Sequence, residues 1–300
     1  MKITIIGLGL IGGSMAIDLR KSGFANTLVG VDSNIQHAEK AVQLGIVDRV
    51  EPEDKALLDA DVVLVTIPVN ALSALLPSIL DAVNDRAVVI DTGSTKAQIC
   101  RSVRSHPRRN QFVAAHPIAG TENSGPTAAF SGLFTNKTTI ICEQERSSAF
   151  ALALTQKLFN DLHMKITYMQ PDEHDRHVAY VSHLSHVSSF LLGQTVLDIE
   201  RDEKNIFTLA GSGFASTVRL AKSSPAMWAP IFEQNMEYLS QALQEYIIHL
   251  QRFQYHLMKK DTDALYRTMM EANQIRRILE GFENKVDRTN QPTKPTEQAA

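Results

Sequence analysis

Residues 2–19 read KITIIGLGLIGGSMAIDL, and the fold turns on them. An apolar, β-branched run, KITII, meets Gly7, Gly9 and Gly12 at the offsets of GxGxxG, and a helix-forming stretch follows. The spacing predicts a strand, a tight turn and a helix in that order. The first glycine turns the chain, the second lets backbone approach a pyrophosphate, and the third lets helix and strand pack closely. Such a turn presents Gly7, Gly9, Leu10, Ile11 and Gly12 to an anion at the positive end of a helix. Alone the motif is weak, and a ligand-free glycine turn or a flavin site would also produce it. The context narrows the reading, because a second strand, TLVGV, ends at Asp32, about 20 residues past the last glycine. A carboxylate there accepts hydrogen bonds from an adenosine ribose and repels a 2'-phosphate, which favours NAD over NADP.

Working outward, short apolar runs alternate with amphipathic stretches: KITIIG, TLVGVD, DVVLVTIP, AVVIDTG, QFVAAHP, TTIIC and MKITYM. This is the βαβ pattern of an α/β, Rossmann-type doubly wound, mostly parallel sheet. After Pro171 the strand signal stops. VSSFLLGQTVLDI, MEYLSQALQEYIIHLQRF and DALYRTMMEANQIRRIL carry apolar residues at helical spacing. The expected organisation is an NAD-binding domain over 1–170, an all-α domain over 171–285, and a disordered polar tail over 286–300. The helical stretches hold more apolar positions than one small domain can cover, so that domain is expected to dimerise.

Composition limits the partners. The chain has 300 residues, a formal net charge of -3 and both signs mixed along its length. No broad basic face arises, so a small soluble substrate is expected rather than nucleic acid. The lysine and apolar run at the start mimic a signal peptide, but glycines at fixed offsets interrupt the run. No apolar stretch reaches the roughly 20 residues needed to span a bilayer, so no membrane partner is expected. Cys100 and Cys142 lie in apolar settings without CxxC spacing, as in a reduced, cytoplasmic protein without a structural disulfide.

Taking hydride from an alcohol carbon requires a base for the hydroxyl, fixed orientation and exclusion of water. Thr66 and Pro68 in VTIPV, and Asp91 to Lys96 in DTGSTK, fall at later strand ends and are candidates for the nicotinamide side. In FVAAHPIAGTENSG, residues 112–125, His116 follows a strand run and so reaches the same sheet edge, where a neutral imidazole can take a proton. Pro117 is expected to stop that strand. Ser94 could hold the hydroxyl or the histidine. The bland alternative is an exposed His-Pro turn.

In PDEHDRHVAYVSHLSHVSSF four histidines crowd together. At about 100° per residue, His183 and His186 share a stripe with Asp172 and Asp175, while His174 and His177 point elsewhere. The carboxylates lie roughly 16 Å from those histidines along the helix, too far to share a metal ion. The stripe reads as the polar wall of a substrate cleft, or as a polar seam in a bundle. Arg219, in GSGFASTVRLAKSSPAMW, suits a substrate carboxylate because its fork can bind two oxygens, although a surface ion pair would use it equally.

Taken in register, GLGLIGGS, Asp32, TIPV, DTGSTK, HPIAGTENSG, HD with SHLSH, and GFASTVRLAKSSPAMW resemble the prephenate dehydrogenase family. The resemblance covers Met1 to about residue 280. It implies a Rossmann domain followed by a helical domain that forms a homodimer, and NAD-dependent oxidative decarboxylation of prephenate. It also implies that His116 accepts a hydrogen bond from the substrate's ring hydroxyl with Ser94 assisting, that Arg219 binds a substrate carboxylate, and that His186 and Glu122 belong to the cleft.

The sequence departs from the family pattern at Ser185, where SHLPH is common, and at Ala215 and Ser216, where charged residues are common. That turn therefore lacks the charge on which a gating or inhibitor-response role would depend. Neither a regulatory domain after the helices nor a chorismate mutase domain before Met1 is expected. The competing readings are an arogenate (cyclohexadienyl) dehydrogenase, a β-hydroxyacid dehydrogenase with a lysine base, and a non-catalytic NAD-binding sensor.

Overall fold

The structure, a computed structural model, describes residues 1–202 and 206–280. The expected polar tail lies outside the described residues.

The strands are β1 (Lys2–Ile6), β2 (Thr27–Val31), β3 (Arg49–Val50), β4 (Val62–Val65), β5 (Val88–Asp91), β6 (Phe112–Pro117), β7 (Thr138–Cys142) and β8 (Lys165–Met169). Among them run the helices α1 (Leu10–Lys21), α2 (Ile35–Gln43), α3 (Glu53–Leu58), α4 (Val69–Ala82), α5 (Ala97–Ser102) and α6 (Ala149–Asp161). They are followed by α7 (Pro171–Val178), α8 (Leu184–Asp202), α9 (Ser212–Thr217), α10 (Pro225–Gln234), α11 (Met236–Lys259) and α12 (Thr262–Ala272).

One sheet holds all eight strands in the order β3-β2-β1-β4-β5-β6-β7-β8. Its strands are parallel except where β6 meets β7. The apolar runs are continuous because helices cover both faces, so successive side chains enter different cores. Val62, Leu64, Val88 and Ile90 join Met15, Leu19 and Phe159 on one side. Val63, Val65 and Val89 join Leu72, Leu76 and Trp228 on the other. The chain order reverses between β1 and β4, and ligands bind such sheets outside the carboxyl ends of the strands at that point.

Two details differ from the sequence reading. A short extra strand, β3, has two exposed residues and no apolar run to announce it. β6 does not stop before His116: it pairs with β5 through Val113 and then with antiparallel β7, so that His116 faces Ile140 within the ladder and Pro117 closes the strand. His116 still lies past the last β5 pairing, on the carboxyl side of the parallel strands.

Helices through α10 pack with the sheet in one compact unit, Met1–Ala242, and a second unit begins at Leu243. α10 belongs with the first because Trp228 and Ile231 fill the sheet-face core. In the second unit, the Asp261 carboxylate caps α12 by accepting from Ala264 N. No helix among the described residues is long and apolar enough to cross a membrane.

Candidate functional site

The glycine turn sits at the carboxyl end of β1. Gly7 has φ +97°, and a Cβ there would meet Thr66 O at 2.6 Å. At Gly12 a Cβ would lie 2.2 Å from Gly7 O, whereas at Gly9 it would meet nothing within 4 Å. Two glycines are thus demanded by close packing, and the third opens onto free space. The first hydrogen bond of the α1 ladder is Gly13 N to Gly9 O at 2.9 Å, which leaves the N–H groups of Leu10, Ile11 and Gly12 at the open helix end.

Asp32 follows β2, with Oδ2 accepting from Leu8 N and Oδ1 from Asn34 N, each at 2.8 Å. Its carboxylate is therefore held beside the glycine turn. Thr66 donates its hydroxyl to Ile6 O and Gly7 O and braces the turn from beneath. Exposed Pro68 precedes α4.

The DTGSTK segment, expected to line the nicotinamide side, is corrected at both ends. Asp91 and Lys96 are fully buried and paired with each other, so neither is free for a ligand. Burial pushes the Asp91 carboxyl up, opposed by three donors: Lys96 Nζ, Gly93 N and Ala115 N. Lys96 Nζ also donates to Ala115 O at 2.8 Å, so the pair clamps the residue immediately before His116. Ser94 lies half-buried in the same loop.

His116 is half-buried, and its Nδ1 lies 2.8 Å from Nε2 of His174. The latter ring is fully buried, and its Nδ1 lies 2.8 Å from Oδ1 of Asp175. Burial, helped by the neighbouring His174, Lys96 and His183, holds His116 well below the ordinary histidine range. The imidazole is therefore neutral at pH 7 and able to accept a proton. Burial also lowers His174, against the opposing Asp175 carboxylate.

The histidine segment requires a second correction. A π-helical turn, Ala179–His183, separates α7 from α8. Its wider winding rotates the succeeding residues by roughly a quarter turn and carries His183 onto the buried face of α7. That face holds Pro171, His174, Asp175 and Val178, while Asp172 is exposed, 3.8 Å from Arg101. The missed residue is His174, and a signal was available: Pro171 and Val178 mark the apolar side of α7, and positions three and four residues after Pro171 share it. Asp175, expected to touch substrate, is instead occupied by the backbone. It accepts from Lys96 N at 2.7 Å and Ala97 N at 2.9 Å, joining α7 to the start of α5.

His183 Nδ1 lies 3.0 Å from Asn235 Nδ2, and burial lowers its pKa to about 4. His186 stacks on Trp228 with ring centroids 3.5 Å apart, its Nδ1–H donating to Ser182 O at 2.9 Å. Burial lowers His186 too, with nearby Arg219 adding to the effect. Arg219 reaches Glu122 at 3.1 Å, and this pair is substantially exposed. The Glu122 carboxyl is held below its usual range, first by its own backbone N–H and then by Arg219. The GSGFAST stretch before Arg219 forms the short helix α9 rather than a turn.

Cys100 and Cys142 are buried free thiols. Among the described residues no three His, Cys, Asp or Glu side chains gather at metal-binding distance. A surface cavity of about 550 Å³ lies beside the amino ends of β5 and β6, lined by Arg86, Ala87, Gln111 and Phe150, away from these groups. The site is therefore recognised by its chemistry: an anion cradle, a neutral imidazole, stacked rings and an accessible guanidinium share the carboxyl side of the sheet.

Comparison with known proteins agrees over most of the chain. Residues 15–168 match the family described as prephenate dehydrogenase, nucleotide-binding domain, and residues 170–271 match prephenate dehydrogenase, dimerization domain. The prephenate dehydrogenase of Bacillus subtilis is 30% identical over 286 residues, covering 92% of this chain and 76% of that protein. The cyclohexadienyl dehydrogenase of Zymomonas mobilis is 29% identical, covering 92% and 95%. The crystal structure of A. aeolicus prephenate dehydrogenase in complex with hydroxyphenyl propionate and NAD+ superposes with a TM-score of 0.86 at 30% identity, covering 93% and 98%.

Proposed function

The chain belongs to the prephenate dehydrogenase family, and on that premise we propose that it oxidatively decarboxylates prephenate with NAD, giving 4-hydroxyphenylpyruvate and carbon dioxide. The observation that carries the reading is His116: a neutral imidazole at the same sheet edge as the glycine cradle.

The residues present fit the dinucleotide. Gly9 leaves open space where a Cβ would stand, Gly7 and Gly12 let the turn close, and the amides of Leu10, Ile11 and Gly12 suit a pyrophosphate. Asp32 suits a ribose diol and disfavours a 2'-phosphate. Thr66 and Pro68 border the nicotinamide side. Bound NAD supplies the hydride acceptor.

The chain's residues then have to orient the ring and manage one proton. His116 takes the hydroxyl proton as hydride leaves the carbinol carbon, producing a dienone. The bond to the ring carboxylate breaks, carbon dioxide departs, and its electron pair enters the ring and reaches the oxygen. His116 returns the proton to that oxygen, giving a phenol. Aromaticity drives the step, so holding the ring and the proton acceptor in place is the enzyme's main contribution. Ser94 assists at the hydroxyl, Arg219 binds a substrate carboxylate, and His186 and Glu122 line the substrate side; His183, expected there from the sequence, is buried against Asn235 and supports them from within. Asp175 acts from behind.

Homodimer formation is part of the proposal. α11 leaves Met236, Ile248, Leu250, Tyr255 and Leu257 exposed, more apolar surface than a lone helix keeps in water, and the matched family is a dimerization domain. Two buried free thiols suit a reducing cytoplasm.

The deciding experiment measures turnover of prephenate and of arogenate, each with NAD and with NADP. Prephenate with NAD is expected to give the highest kcat/KM. Preference for arogenate, the reading that similarity to a cyclohexadienyl dehydrogenase keeps in play, or for NADP would overturn it.

A further inference from the structure

We propose that His174 and Asp175 are positioning residues that fix the ring tautomer of His116, keeping its Nδ1 protonated and its Nε2 a bare proton acceptor. The proposal rests on the reading of His116 as the base.

The argument starts at the far end of the chain of contacts. Asp175 accepts from Lys96 N through Oδ1 and from Ala97 N through Oδ2, and backbone N–H groups can only donate. The carboxylate is thus committed as an acceptor. Its third neighbour, His174 Nδ1 at 2.8 Å from Oδ1, must be the donor. A neutral imidazole carries one N–H, so donation from Nδ1 makes Nε2 of His174 an acceptor. That atom lies 2.8 Å from His116 Nδ1, which therefore donates. The single proton of His116 is then placed on Nδ1, and the lone pair is left on Nε2.

The arrangement is built to be rigid. The two amides accepted by Asp175 belong to the first residues of the α5 segment, so α7 is fastened to the loop that carries Lys96. On its other side, Lys96 fastens Ala115 beside His116. The charged and titratable groups facing the two rings are Asp91 at the end of β5, Lys96 at the start of α5, Asp175 on α7 and His183 on the π turn. Asp91 and Lys96 neutralise one another, so the Asp175 carboxylate remains to support a positive charge arriving at His116. When Nε2 takes a proton, the Nδ1–H bond to His174 strengthens, and His174 in turn leans on Asp175. His174 itself is fully buried behind His116 and acts only through it.

The test reads the tautomer directly. In full-length protein labelled with ¹⁵N-histidine, long-range proton–nitrogen NMR correlations show which ring nitrogen bears the proton, and His116 is assigned by its loss in His116→Asn. Protonation at Nδ1 is expected; protonation at Nε2 overturns the proposal whatever the turnover of the variants. His174→Leu is expected to mix the tautomers and lower kcat by about 10- to 10³-fold, less than loss of the base. KM for prephenate should stay within about 3-fold, because the ring still occupies its place. The acid limb of the kcat profile should shift, since His174 acts on the charged form of the His116 ring. His174→Gln, whose amide oxygen can accept from Nδ1–H, should restore most of kcat. An unchanged tautomer, kcat and pH profile in the leucine variant would refute the relay. Normal turnover in His116→Asn would instead remove the base reading, leaving the NMR result to judge the tautomer.

Discussion

The two sides of the proposed substrate region are held in opposite ways. Around His116 every neighbour is committed: Asp91, Lys96, His174 and Asp175 are buried and fully engaged with one another or with backbone. Around Arg219 the structure is open. Its guanidinium side chain is 52% exposed and meets Glu122 through a single nitrogen–oxygen contact of 3.1 Å. Buried polar groups are costly unless satisfied, so the first side tolerates one arrangement. An exposed ion pair is worth a fraction of a kcal/mol and exchanges readily for a better partner. Chemistry that depends on the address of one proton belongs on the rigid side, and capture of a charged ligand belongs on the loose one.

The sharpest way to break this contrast is at the base. His116→Asn should fold and bind NAD yet lose about 10²- to 10⁴-fold in kcat; near-normal turnover would take the chemistry away from the rigid side. Lys96→Met should be almost as severe by another measure, lowering stability by about 3–5 kcal/mol because it strands the buried Asp91 charge. Urea unfolding reads this loss. Adding Asp91→Asn should recover only part of it, since the carboxylate also accepts Gly93 N and Ala115 N.

Acid should act on the rigid side first. His183 is lowered to about 4 in the fold, against about 6.5 unfolded. Between those values the unfolded chain binds more protons, so stability is complete above about pH 6.5 and falls as pH drops towards 4, by roughly 3 kcal/mol from this group. Thermal unfolding across that range, with His183→Asn flattening the slope, checks the sign. On the loose side the effects shrink and change kind. Arg219→Ala should raise KM for prephenate by about 10-fold while kcat moves little, and Glu122→Gln should change either constant by less than about 3-fold. A collapse of kcat in Arg219→Ala would mean that this side is rigid too.

The sheet was readable in advance because its central strands are buried on both faces and announce themselves as unbroken apolar runs. β3 was not, since two exposed residues paired only to β2 carry no periodic signal. The glycine turn, Asp32, His116 and Arg219 could be put forward as candidates from residue type and position. His174 was passed over because its neighbours were placed on an ideal helix and read for the wrong face, and the π turn that brings His183 into line with it leaves no mark in the spacing. Asp175 was recognised as important but given the wrong partner: helix geometry says which side a residue occupies, not that two amides from residues 96 and 97 wait there.

By itself the sequence determined what local geometry enforces. Gly7 must turn at positive φ and Gly12 must admit backbone at van der Waals limits, so strand, turn and helix follow from three glycines. Only the tertiary structure decided which polar groups are dry. Burial and hydrogen-bond direction depend on segments far apart in the chain, as His116 and His174 are, 58 positions apart. Those long-range contacts turn a histidine near the end of a strand into a neutral imidazole with one nitrogen taken.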